Sequence, residues 1–121
     1  MGHNVLNISD RDITYFSKSF NDPSGSRSLE KHILNNFEYF NPDIIVLGHA
    51  DKVGNDILYE LKSKNKNLKI FQWFLDPLSK KGPDHGKNKD RILNNIDIID
   101  ATFLTTDPQS LDFKIKNSYF I

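Results

Sequence analysis

The chain has 121 residues, 37% of them hydrophobic, with nine Phe and no Cys. That is enough for one domain with a modest core, and it excludes disulfides and thiolate metal sites. Sixteen basic residues balance 16 acidic ones, so no long-range field marks the chain as a nucleic-acid binder.

No apolar run approaches the ~18–20 residues of a membrane span, and the amino terminus has no signal-peptide pattern. A cytoplasmic, reducing setting is the expectation. Lys, Asn and Ile each occur thirteen times and Ala twice. All three abundant types have A/T-rich codons, so scattered Lys and Asn carry little functional information.

In chain order, Asn4–Ser9 (NVLNIS) reads as a first strand. The turn-rich segment that follows it, residues 10–28, reads as a loop with a short helical piece. Leu29, Ile33, Phe37 and Phe40 fall on one helical face, with Ser28 as a candidate N-cap and Asn41-Pro42 as a stop. Residues 43–48 (DIIVLG) form a short, wholly apolar run, the pattern of a parallel strand covered on both faces.

Val53, Ile57, Leu58 and Leu61 predict a second amphipathic helix, and residues 69–75 (KIFQWFL) a third strand whose Trp73 and Phe74 read as core. A loop of about fourteen residues follows, a length that is often functional. A helix near Asn88–Asn95 would bury Ile92, Leu93 and Ile96. Residues 101–106 (ATFLTT) predict a fourth strand, Asp107-Pro108 the cap and first turn of a short helix, and residues 118–121 (SYFI) a fifth strand. The alternation of strands and helices predicts an α/β fold: an open, mainly parallel, Rossmann-like sheet of about five strands with helices on both faces.

In open α/β sheets, ligands bind outside the carboxyl ends of the strands. Asp10, the segment Gly48-His49-Ala50-Asp51, Asp76-Pro77 and Thr105-Thr106-Asp107 all fall at such ends. Gly48 permits close approach of a ligand, or simply ends a strand. His49 is a candidate general base or ligand donor, or a hydrogen-bonded rim residue.

Asp51 reads as a helix cap before it reads as a ligand residue. Asp76 is a site acid or a turn former. Asp10-Arg11-Asp12 is a D-x-D, too short to specify a metal, and no metal site is expected. The Lys80–Arg91 segment, with Lys80 and Lys81, reads as an anion-holding loop or a solvated one. No G-x-G-x-x-G, G-x-x-x-x-G-K-[ST] or G-x-S-x-G is present, so the nucleotide-binding and serine-hydrolase loops are missing.

The segments GHNVLNISDRD, NPDIIVLGHAD, IFQWFLDPL, GPDHGKNKDRIL and IDATFLTTDPQSL resemble the amino-terminal, acceptor-side domain of bacterial GT-B glycosyltransferases. The resemblance is to the family-1-like and spore-maturation (CgeB-like) group, and it runs from Gly2 to about Leu111. It implies two Rossmann-like domains facing across a cleft, with residues 1–121 forming one of them, truncated at both ends. The missing carboxyl-terminal domain would hold the nucleotide-sugar donor, and no cofactor is expected in this half.

Implied roles follow from the same resemblance. His49 is the first and Asp76 the second choice of base. Asp10, Gly48, Asp51, Thr105 and Thr106 line the acceptor site, and Lys80 and Lys81 hold a phosphate. Implied partners are a sugar or glycan acceptor in cell-surface polysaccharide synthesis and the missing donor domain, with placement at the inner membrane surface. The resemblance implies a strand and helix before Asn4 that this sequence is expected to lack, so an open apolar edge, and with it weak stability or self-association of the isolated chain, is expected. The rival reading is a flavodoxin- or receiver-like module in which Asp76 accepts a phosphoryl group beside Asp10 and Asp12.

Overall fold

The computed structural model describes residues 2–121. The chain divides into two compact units, one built from the residues up to Pro42 together with Ala50–Lys64, the other from Asp43–His49 and Asn65–Ile121.

The first unit is helical: α1 (Asp10–Phe16), α2 (Ser26–Phe40) and α3 (Asn55–Lys64). Residues 4–9 form no strand, which corrects the expected first strand. Val5, Leu6 and Ile8 are exposed, so the apolar run has no face to bury and no ladder to join. Ser9 instead caps α1 by accepting the Asp12 N–H at 3.3 Å.

Helix α2 starts two residues before the expected Ser28 cap, after Gly25 in the left-handed region at φ +74°. A Cβ at Gly25 would lie 2.2 Å from the Thr14 carbonyl oxygen, so the glycine lets the backbones of two segments touch. The capping oxygen comes from Asp22. One of its carboxylate oxygens accepts both the N–H and the hydroxyl of Ser28, each at 2.9 Å. The Ser28 N–H leads the bonds that hold this carboxyl below its ordinary value, against the burial that would raise it.

At the other end Asn41, also left-handed, donates its N–H to the Phe37 carbonyl at 2.8 Å, and Pro42 stops the helix. Leu29 and Phe37 of α2 and Ile57, Leu58 and Leu61 of α3 are buried. Lys64 pairs with Glu38 at 3.1 Å across α3 and α2, an exposed contact worth little.

The second unit holds a parallel sheet of four strands in the order β1 (Ile44–Gly48), β2 (Lys69–Phe74), β3 (Ala101–Leu104), β4 (Ser118–Phe120). Helix α4 (His85–Asn94) lies between β2 and β3 in sequence, and a 3-10 turn (Pro108–Ser110) between β3 and β4. The fold is therefore α/β with a parallel sheet, of four strands rather than five. Asp107 caps the 3-10 turn as the sequence predicts, accepting the Gln109 N–H at 2.9 Å.

Alternation along the strands sends Leu47, Ile70, Gln72, Phe74, Thr102 and Leu104 to one face, and all are buried. Phe74 and Leu104 pack with Leu78, Ile92 of α4 and Ile115 into a single cluster. Trp73 is not core. It points to the face opposite Phe74 and is 48% exposed. No helix among the described residues is long and apolar enough to cross a membrane.

Candidate functional site

Parallel pairing brings successive strand ends to one edge. Gly48 sits opposite Trp73, and Phe74 opposite Leu104, so the residues that follow each strand emerge side by side. His49 follows β1 with φ +44°. This left-handed conformation is uncommon outside glycine and turns the chain sharply. It falls on His49 and not on Gly48, which does not have a positive φ and whose missing Cβ would meet nothing within 4 Å. The backbone therefore has no need of a glycine at position 48.

Asp76 follows β2, and α4 sends Arg91 back to meet it. Arg91 Nη1 donates to Asp76 Oδ2 at 2.7 Å, and Nη2 lies 3.2 Å from His49 Nδ1. The three side chains are 25%, 32% and 37% exposed, in the order Arg91, Asp76, His49. Phe74 forms the floor of the cluster. The His49 ring stacks on it at 6.2 Å between centroids, and the guanidinium lies 5.5 Å over its face.

A guanidinium has only donors and stays protonated, so the atom facing Nη2 must be a lone pair. His49 Nδ1 is therefore the acceptor, and the ring proton sits on Nε2. The 3.8 Å separation of Nδ1 and Asp76 Oδ2 is too long for a hydrogen bond; the arginine, not the carboxylate, sets the tautomer. What the cluster offers a ligand is an Nε2–H donor, the Oδ1 acceptor of Asp76 and a fixed positive charge between them.

The loop that carries Asp76 is pinned from three sides. Thr105 donates its hydroxyl to the Leu75 carbonyl at 3.0 Å, and the Leu78 N–H donates to Thr106 Oγ1 at 3.1 Å. Buried Asn88 donates to the Pro77 carbonyl at 3.1 Å. Thr105 and Thr106 thus act through the loop. Lys80 and Lys81 are exposed on the turn closed by the Gly82 N–H to the Ser79 carbonyl at 2.8 Å.

Asp10 and Asp51 belong to the first unit. Asp10 is the first residue of α1, not the end of a strand. Its two oxygens accept the backbone N–H groups of Arg11 and Lys52, each at 2.9 Å. Asp51 Oδ2 pairs with Arg11 Nη2 at 2.8 Å. Helix α3 opens four residues later at Asn55, so Asp51 is not its cap. Asp10, Arg11 and Asp51 tie α1 to the 51–52 turn.

The strand-end pattern finds His49 and Asp76, and they do meet. It does not single out Arg91. The signal available was composition: in a chain with thirteen Lys there are three Arg, and two of them, Arg11 and Arg91, make carboxylate pairs. Where the codon bias favours Lys, an Arg marks a place where a planar fork is needed. Among the described residues no group of three or more His, Cys, Asp or Glu could hold a metal ion. No family model matches the chain, and neither a curated protein nor a solved structure does.

Proposed function

We propose that the chain is the acceptor-binding part of a GT-B-type glycosyltransferase, working in the cytoplasm, and that the His49–Asp76–Arg91 cluster receives a sugar hydroxyl. The observation that carries this reading is the convergence of these three side chains at the carboxyl ends of adjacent parallel strands. The order of the segments that resemble that family supports it.

A neutral polyol asks for a donor and an acceptor close together, and His49 Nε2–H and Asp76 Oδ1 are such a pair. In the inverting form of the reaction, the acceptor oxygen bonds to the anomeric carbon as the bond to the nucleoside diphosphate breaks. Its proton passes to a base. Asp76 takes that role, because the Nδ1 lone pair of His49 is occupied by Arg91 and Nε2 already holds a proton. His49 donates to a neighbouring hydroxyl, and Arg91 fixes both. The donor would be bound by a separate domain, so this chain alone binds acceptor without turning it over.

The test is a titration of the isotope-labelled chain with a panel of simple glycosides, read by backbone amide shifts. Saturable shifts confined to residues 48–49 and 75–78, lost in Asp76→Asn, are expected. No saturable shift with any glycoside, or shifts elsewhere, would overturn the reading. A parallel incubation with acetyl phosphate and Mg²⁺ separates the receiver-like rival, since only that reading expects a phosphoryl group on Asp76.

A further inference from the structure

We propose that Asn88 is a positioning residue of the His49–Asp76–Arg91 cluster. From the helix that carries Arg91 it fixes the backbone beside Asp76, and so sets the direction of the carboxylate oxygen that meets the acceptor. The identity of the ligand rests on the sugar-hydroxyl reading of the site; the positioning rests on geometry.

Asn88 is three residues before Arg91 on α4 and four before Ile92, so the three side chains are neighbours on the helix. Ile92 is fully buried and packs with Phe74, Leu78, Leu104 and Ile115. Asn88 itself is 5% exposed. A buried amide costs free energy unless it is hydrogen-bonded, a cost that an apolar side chain in the same place does not carry. Asn88 meets it with a bond to the loop: Nδ2 donates to the Pro77 carbonyl at 3.1 Å, in the residue directly after Asp76.

The bonds from Thr105 and Thr106 come from the end of β3 and hold the two ends of the loop, at Leu75 and Leu78. The bond from Asn88 comes from α4 and holds the middle. Together with Arg91 Nη1 on Asp76 Oδ2 at 2.7 Å, it ties two successive loop residues to one turn of one helix. An ion pair alone leaves a carboxylate free to pivot about the contact. A second attachment one residue along removes the pivot, so Oδ1 keeps one direction while Oδ2 stays on the arginine.

The helix is anchored in turn on the segment before β4. Lys89 Nζ lies 4.9 Å over the Phe113 ring, and His85 Nε2 lies 3.3 Å from Asp112 Oδ1. The loop is therefore held to an element that is itself held, and the same element presents Nη2 of Arg91 to His49 at 3.2 Å. The chemistry at position 88 calls for a donor to a carbonyl. An ionised Asp offers only acceptors there, and a Leu offers nothing.

The test uses the isotope-labelled full chain at pH ~8, where an ordinary imidazole is neutral. Two quantities are read: the imidazole ¹⁵N shifts of His49, and affinity for the glycosides. Asn88→Ala removes the donor, and Asn88→Leu removes it while filling the space. Ile92→Val loosens the packing of the same helix without touching the bond. Wild type and Ile92→Val should show His49 fixed as the Nε2–H tautomer. Both Asn88 variants should show an averaged ring and wild-type circular dichroism, and should bind glycoside at least ~10-fold more weakly.

Asn88 variants that keep the fixed tautomer would overturn the proposal. So would an Ile92→Val chain that loses it equally, since any loosening of α4 would then suffice. An averaged ring in the Asn88 variants with unchanged glycoside affinity would also overturn it. If one Asn88 variant fails to fold, the other decides. If wild type binds no glycoside, the sugar reading fails by itself, and the imidazole pattern still decides whether Asn88 positions the cluster.

Discussion

Arg91 Nη1 stands 2.7 Å from Asp76 Oδ2, across fifteen residues of chain, while its other terminal nitrogen faces His49. One side chain thus orders the two residues that the strand ends deliver. Arg91→Lys keeps the charge and removes the fork. We expect it to cost about 1 kcal/mol or less in stability, since the pair is partly exposed. The larger effect should be on His49. Freed from Arg91, its ring should exchange between tautomers, and the imidazole ¹⁵N shifts should move from a fixed Nε2–H pattern to an averaged one. An unchanged pattern would mean that Arg91 does not set the tautomer.

Two glycines make opposite predictions. At Gly25 the φ is +74° and an added Cβ meets the Thr14 backbone. Gly25→Ala should destabilise the chain by at least ~1 kcal/mol, seen as a lower urea midpoint. At Gly48 an added Cβ meets open space, so Gly48→Ala should change stability by less than ~0.5 kcal/mol. If Gly48→Ala also weakens glycoside binding, the space above that residue belongs to the ligand. A comparable loss of stability at both sites would show that the backbone at Gly48 is more constrained than its geometry indicates.

Thr102 and Gln72 are opposite each other on β3 and β2, on the buried face. Thr102 Oγ1 and Gln72 Oε1 are buried without a hydrogen-bond partner among the described residues. An orphaned buried hydroxyl costs about 1–3 kcal/mol. Thr102→Val keeps the shape and the β-branch and removes the orphan. It should therefore raise the urea midpoint by the equivalent of ~1 kcal/mol. A fall instead would place an ordered water or a further partner on that hydroxyl.

Much of the architecture was legible because the apolar runs are short and clearly bounded. The strands at 44–48, 69–74 and 101–104 lie where apolar residues give way to Gly-His, Leu-Asp-Pro and Thr-Thr-Asp. Asn4–Ser9 carries an equally strand-like composition and forms none, because a strand is defined by its ladder and composition does not supply a partner. Trp73 was misplaced for a related reason: alternation says that two neighbours face opposite ways, not which face is covered. At the site, the strand ends were legible and the arginine that joins them was not. It lies fifteen residues beyond Asp76, on a helix among lysines, and only the crossover brings it back. Asp10 was read at the end of a strand that does not form, while Asp51 does follow a real one; the oxygens of both hold α1 to the 51–52 turn.

Asp22, a residue with no catalytic appearance, makes the start of α2 sensitive to acid. Its carboxylate takes the N–H and hydroxyl of Ser28 at the start of α2, and those bonds lower its pKa from the ordinary 3.8. A depressed folded-state pKa means that the unfolded chain binds the proton more readily. The stabilisation is therefore present in full above the ordinary value and is lost as the pH falls through the lower folded value. Asp22→Asn keeps an oxygen for the Ser28 N–H but cannot be protonated in this range. The stability gap between wild type and variant should be widest above pH ~4 and shrink steadily below it. Urea midpoints, followed by helical circular dichroism at a series of pH values, measure that gap. Comparing the two proteins cancels the other carboxylates, which titrate in both. A gap that stays constant as the medium is acidified would mean that the Ser28 bonds survive protonation, and that α2 owes its start to the left-handed turn at Gly25 rather than to this charge.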